Sequence, residues 1–198
     1  ITNVGSLTVT GVESGAAVQY STDGGDTWST GFTATEGLNT VTVRVTDVAG
    51  NQASTSYSFT LDTTVAAPTV ALTTDSAGAS GTTSDAITNV GSLTVTGVES
   101  GAAVQYSTDG GDTWSTGFTA TEGLNTVTVR VTDVAGNQAS TSYSFTLDTT
   151  VAAPTVALTT DSAGASGTTS DAITNVGSLT VTGVESGAAV QYSTDGGD

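Results

Sequence analysis

The feature that most constrains this chain is its repetition. Residues 1–112 reappear without a substitution as residues 87–198, so the period is 86 residues and the chain holds two full periods and 26 residues of a third. A unit of 86 residues is too long for a solenoid coil or a propeller blade and has the size of a small independent domain. The sequence therefore reads as a window onto an array of identical domains, each facing its neighbours in the same chain.

Each period reads as β throughout. Thr69–Leu72, Ser6–Val12, Ala17–Ser21, Thr27–Ser29, Phe32–Ala34, Thr40–Thr46 and Ser54–Leu61 carry alternating or β-branched character and are bounded by Gly, Asp, Asn and Ser. The alternation puts Leu7 and Val9, Val18 and Tyr20, Val41, Val43 and Val45, and Tyr57, Phe59 and Leu61 on one face, with hydroxyls on the other. About seven short strands, apolar on one side only, predict an all-β fold of tandem immunoglobulin-like antiparallel β-sandwiches. Trp28 is expected to fill the core. Pro68 cannot sit inside a central strand, so the linker falls at Thr63–Pro68. The expected division is a partial repeat at 1–62 lacking its first strand, a complete one at 63–148, and a partial one at 149–198.

Composition excludes much chemistry. The chain has 19 acidic residues against two basic ones, a net charge of −17, and no His, Cys, Lys or Met. Without His or Cys there is no Ser-His or Cys-His nucleophile, no disulfide and no nitrogen or sulfur ligand for zinc or copper. The two arginines, Arg44 and Arg130, make no cationic patch, so nucleic acid and anionic lipid are not expected partners. No apolar run approaches the length of a membrane span, and any export signal is expected outside the segment. Neither an enzyme nor an organic cofactor is expected.

The motif S-T-D-G-G-D-T-W at Ser21–Trp28 and Ser107–Trp114 fits the Asp-box pattern S-x-D-x-G-x-T-W. Asp23 is placed to accept backbone N–H bonds within the turn, Gly24 and Gly25 to supply positive φ, and Trp28 to pack beneath, so the motif staples a hairpin. Asp23 and Asp26 flank a two-glycine turn with no sign of a sugar cleft, which argues against a glycosidase pair. Arg44 reads as a cross-strand partner for a carboxylate or hydroxyl.

The other carboxylates matter through topology. Strand alternation sends the hairpins TDVAGN (Asp133, Asn137) and the turns VESG (Glu99, Glu185) to one pole. The loop carrying Asp75 and Asp85 goes to the other. Head-to-tail stacking then sets Asp62 against Glu99, Asp133 and Asn137, and sets Asp75, Asp85 and Asp148 against Glu185. Carboxylates converging without lysine repel unless a cation joins them. Ca²⁺, with six to eight oxygen ligands and tolerant geometry, suits such loop-built sites. A structural Ca²⁺ at the junctions between repeats is the expected cofactor.

Four segments together carry a family resemblance: FTLDTTVAAPTVALTTD from Phe59 or Phe145, SDAITNVGSLTVTG from Ser84, YSTDGGDTW from Tyr20 or Tyr106, and VRVTDVAGN from Val43 or Val129. They resemble the bacterial Ig-like tandem repeats of giant RTX-type and biofilm-associated adhesins exported by type I secretion. The resemblance implies an extracellular, cell-surface stalk, monomeric and extended, stiffened by Ca²⁺ at its junctions. The matching acidic positions are Asp62, Asp75, Asp85, Asp133 and Asp148. The linker DTTVAAP is longer than the DTTAP common in that family. Two other readings stand beside the stalk: an Ig-like module contacting glycan or ice, and an accessory domain of an exported polysaccharide-acting enzyme.

Overall fold

Alternating Val and Thr at Thr40–Thr46 and Thr126–Thr132 offer one face to a core and one to water, and β-branched side chains suit the pleated backbone. In the computed structural model both stretches lie in the longest strands. The structure describes residues 1–79, 81–165 and 167–197; Ser80 and Ser166, inside the two acidic loops, and Asp198 lie outside the described residues. The strands are β1 (Ala17–Ser21), β2 (Gly37–Thr46), β3 (Gln52–Leu61), β4 (Thr69–Leu72), β5 (Ile87–Thr88), β6 (Leu93–Thr96), β7 (Ala103–Ser107), β8 (Gly123–Thr132), β9 (Gln138–Leu147), β10 (Thr155–Leu158) and β11 (Leu179–Thr182). No helix occurs among the described residues, so none is long and apolar enough to cross a membrane.

The sheets run β1-β2-β3, β4-β6, β5-β9-β8-β7 and β10-β11. The fold is all-β and immunoglobulin-like, built from several mostly antiparallel sheets. By packing, the residues fall into two units: Ile1–Ala71, Leu93–Thr119 and Asn125–Ser144 in one, Leu72–Ser92, Ala120–Leu124 and Phe145–Asp198 in the other. The first unit holds the β1-β2-β3 sheet, with Gln19 opposite Arg44 and Val41 opposite Tyr57. It also holds β6, β7 and most of β4, β8 and β9. The second unit holds β5, the end of β9, and β10-β11.

Valines make the core. Val127, Val129 and Val131 in β8 and Val41 in β2 are fully buried, and Val43 nearly so; in the second unit Phe145 is the largest enclosed side chain. Trp28 and Trp114, expected to fill this core, are half-buried above it instead. The reason is a polar demand: Trp28 Nε1 donates to the Gly25 carbonyl at 2.9 Å, which holds the indole at the hairpin, where the Arg44 guanidinium lies 4.0 Å over its ring. On the outer face the hydroxyls bond one another across strands, Thr40 with Ser58 and Thr42 with Ser56, and likewise Thr126 with Ser144 and Thr128 with Ser142.

Three expected strands differ. Phe32–Ala34 forms none, and Thr27–Ser29 is reduced to a single bridge from Ser29 to Tyr20, because the Asp-box turn takes up the backbone of Asp23–Thr27. Ser6–Val12 is irregular, although the identical Leu93–Thr96 forms β6 against β4; no strand stands in that place beside residues 6–12. One strand was not expected: β5 lies in the long acidic loop and pairs in parallel with β9, Ile87 opposite Thr146 and Thr88 opposite Leu147.

Phe145 is 1% exposed. Phe145→Ala is expected to cost about 3–5 kcal/mol, as for large-to-small changes in a closed core. Chemical denaturation of the variant checks this, and a loss near zero would contradict it.

Candidate functional site

The hairpin motif is built by its own polar atoms. Ser21 Oγ donates to Asp23 Oδ1 at 2.6 Å and accepts from Gly25 N at 2.8 Å, while Asp23 Oδ1 accepts from Thr27 N at 3.0 Å and its other oxygen from the Thr27 hydroxyl. Gly24 and Gly25 take φ of 82° and 108°, where an L side chain would be strained. The same network recurs on Asp109. Every bond ends inside the turn, so the motif is structural. These donors hold the Asp23 and Asp109 carboxyls well below the ordinary carboxylate range, led by Ser21 on Asp23 and by Thr113 on Asp109.

Arg44 finds neither the carboxylate nor the hydroxyl expected of it. Its Nη2 donates to Gln19 Oε1 at 2.7 Å, because strand register sets Gln19 directly opposite, and Arg130 meets Gln105 in the same way.

The acidic residues of the first unit converge. Asp62 at the end of β3, Glu99 in the turn before β7 and Asp133 in the β8–β9 hairpin each present a carboxylate oxygen, and these oxygens lie within 4.8 Å of one another. Asp133 is 7% exposed, Asp62 half-buried and Glu99 exposed. Asp133 Oδ1 accepts from Gly136 N and Asn137 N at 2.7 and 2.8 Å. Asn137 Nδ2 donates to Asp133 Oδ2 at 2.7 Å and to the Asp62 carbonyl at 2.8 Å, so this amide joins linker to hairpin as a strut. Burial works to raise the pKa of Asp133, but the Asn137 side chain and the N–H groups of Asn137 and Gly136 outweigh it and hold the carboxyl below its ordinary range. A charged, buried carboxylate thus faces two others. The equivalent hairpin acid in the first repeat, Asp47, keeps its Asn51 bonds but is only half-buried.

In the second unit Asp85, Asp148 and Glu185 line one open cavity of about 510 Å³ with Ser76–Ala79, Asn89 and Thr149–Val151. Each carboxylate caps a nearby backbone N–H: Asp85 that of Ile87, Asp148 that of Thr150, and Glu185 that of Ala152. They do not meet the close spacing of the first cluster. Asp75 accepts from Ala86 N at 3.1 Å through Oδ2, and its Oδ1 is buried without a partner, a feature repeated at Asp161. Ala86 has φ of 58°, a strained value for a residue with a Cβ.

Glu36 and Glu122 were not singled out from sequence. Glu36 accepts from both the N–H and the hydroxyl of Thr63, at 3.0 and 2.9 Å, and Glu122 does the same for Thr149, so each glutamate ties down the start of a linker. The partners stand 27 residues apart, and no local pattern connects them. A D-T-T following a strand, with hydroxyl and N–H donors and no basic residue nearby, is the one available hint.

Donor chemistry fits a hard cation at the first cluster. Two Ca–O bonds of 2.3–2.6 Å place opposed ligands about 5 Å apart, which accommodates the 4.8 Å limit on Asp62, Glu99 and Asp133. All three donors are oxygens, and both arginines are engaged with glutamine and indole elsewhere.

A model of the family described as bacterial Ig-like domain matches residues 2–63. The same 62 letters stand again at 88–149. Domains of this family are typically non-catalytic structural modules of a surface or extender type. They are commonly exposed outside the cell. No curated protein matches the chain.

The depressed carboxyls of Asp23 and Asp109 give a sign for pH dependence. Their folded values lie below the unfolded value near 3.8, so their contribution is full above that value and is lost as pH falls through the folded one. Thermal midpoints should therefore drop as pH falls below about 4. Asp109→Asn should lower the midpoint at pH 7 and flatten that acid-side decline; a decline of unchanged steepness would contradict the assignment.

Proposed function

We propose that these repeats are the extender of a large secreted bacterial adhesin, in which Ca²⁺ bound between successive repeats stiffens a stalk that holds adhesive domains away from the cell. The observation that carries this reading is the convergence of Asp62, Glu99 and Asp133 within 4.8 Å, each from a different part of the chain: linker, turn and hairpin. Left bare, such a set resists being ionised together, yet the bonds to Asp133 favour its charged form. A divalent cation removes that conflict and ties the linker to the next repeat.

Period arithmetic extends the argument. Asp148 and Glu185 stand one period, 86 residues, after Asp62 and Glu99. On this reading a junction between two complete repeats would draw on two groups: Asp62, Glu99 and Asp133 with Asn137, and Asp85, Asp148 and Glu185, which line one cavity, with Asp75 nearby in the same loop as Asp85. Extracellular calcium modules bind at about 10⁻⁴ to 10⁻³ M, which leaves such sites empty in cytoplasm and filled outside. Export as a supple chain followed by stiffening outside fits that range. The Thr and Ser face, which could have served ice or glycan, spends its hydroxyls on cross-strand bonds such as Thr40 to Ser58, which favours the stalk over a binding module.

Two measurements test the reading. Small-angle X-ray scattering on a chain of three complete repeats should give a long, sharply defined maximum dimension in millimolar calcium and a broad one in excess chelator; coincident profiles would sink the calcium mechanism. At 10 mM Ca²⁺ and the affinities above, linkage stabilises the folded chain by about 1.4–2.7 kcal/mol. Asp133→Asn and Glu99→Gln should each abolish most of that calcium-dependent rise in the thermal midpoint.

A further inference from the structure

The indole of each Asp-box hairpin is occupied over only part of its surface. The Arg44 guanidinium lies 4.0 Å over the Trp28 ring, and that of Arg130 lies 3.9 Å over Trp114. Both indoles also line a cavity of about 160 Å³, which recurs in the two repeats on the same residues 86 positions apart. Two more aromatic rings complete the apolar part of each cavity. Tyr20 and Phe32 stand with centroids 5.4 Å apart and planes tilted by 41°, and Tyr106 and Phe118 stand 5.5 Å apart, tilted by 36°. All six rings are half-buried, so each is held by its neighbours and keeps surface to offer a ligand.

The polar part is made of hydroxyls. Thr22 and Thr33 line the first cavity and Thr108 and Thr119 the second; all four are exposed, and their hydroxyls have no hydrogen-bond partner among the described residues. They stand apart from the ladder of Thr40 with Ser58 and Thr42 with Ser56, whose hydroxyls are already paired. No ionisable acid or base lines either cavity, and the nearby Asp23 is tied to Ser21 and Thr27. Aromatic rings beside free hydroxyls, without charge, suit a neutral ligand that carries both C–H faces and hydroxyls of its own. A pyranose ring is such a ligand. The cavity is smaller than the roughly 300 Å³ at the lower end of drug-sized sites, which limits it to one ring. An acidic sugar would meet no free cation there, in a chain whose net charge of −17 repels it.

We propose that the cavity under each Asp-box hairpin is a binding site for one neutral hexopyranose ring, so that the repeats add glycan contacts along the chain. The site goes beyond the stalk and is independent of calcium, since none of Asp62, Glu99 and Asp133 lines it. A ligand of about a dozen non-hydrogen atoms binds such a site in the millimolar range, and a polysaccharide gains by engaging several sites at once. Saturation-transfer NMR on the whole chain tests this, with methyl β-glucopyranoside and methyl β-galactopyranoside as probes and glucuronic acid as the charged control. The expected result is transfer to the ring protons of at least one neutral sugar, and transfer several-fold weaker to glucuronic acid. Thr22→Val, Thr33→Val, Thr108→Val and Thr119→Val, made together, should cut the neutral-sugar signal several-fold with the thermal midpoint unchanged. Serine at the same four positions keeps the hydroxyls and should keep the signal. No transfer to either neutral sugar, equal transfer to glucuronic acid, or a signal that survives the four valines overturns the site. Scattering in calcium and in chelator bears on the stalk alone, so the two readings fail separately.

Discussion

Non-local strand pairing is the constraint on which the rest of this molecule depends, and the repeat shows it with the sequence held constant. The letters LTVT occur at Leu7–Thr10, Leu93–Thr96 and Leu179–Thr182. They form β6 and β11 where TVAL of β4 or β10 lies alongside, and no strand at residues 7–10, where it does not. The converse holds for AVQYS: β1 and β7 form against β2 and β8, whereas residues 189–193 form no strand. Strand character here is a property of partners rather than of local preference, because a short strand's backbone groups and its apolar face are both unsatisfied until something pairs with them.

What could be read from the sequence follows from that division. Period-two alternation needs only one strand to be seen, and Val127, Val129 and Val131 are buried as it requires. The Asp-box hairpin was legible because all its bonds close within Ser21–Trp28. Strand β5 was not legible: two residues, Ile87 and Thr88, carry no alternation, and only their parallel register with Thr146 and Leu147 makes them a strand. Trp28 misled through its size, since an indole with a donor to satisfy settles where a carbonyl is free rather than where volume is needed.

Pole assignment was the part of the candidate site that topology could supply. Hairpins and turns alternate between the two ends of a sandwich, so Glu99 and Asp133 fall at one end whatever the fine geometry, and the linker delivers Asp62 to them. What topology could not supply is the inner wiring: that Asn137 turns its amide to bridge Asp133 and the Asp62 carbonyl, or that Glu36 and Glu122 hold the linker threonines from 27 residues away. Such bonds depend on side-chain reach across folded elements, and no spacing rule in a single sequence encodes them.

The polar design of the repeat is consistent at a further level. A chain of net charge −17 with no lysine has little to offset its own repulsion, yet it gathers Asp62, Glu99 and Asp133 within 4.8 Å of one another. The start of the linker is fastened by an acceptor and a donor: Glu36 accepts from Thr63, and Asn137 donates to the carbonyl of Asp62. Pro68 then presents its carbonyl to the Thr141 hydroxyl at 2.6 Å. A linker meant only as a loose tether needs none of these bonds. Three separate bonds, at Asp62, Thr63 and Pro68, instead hold this linker to folded elements, and in the stalk proposed above the carboxylates beside it are where a cation would act.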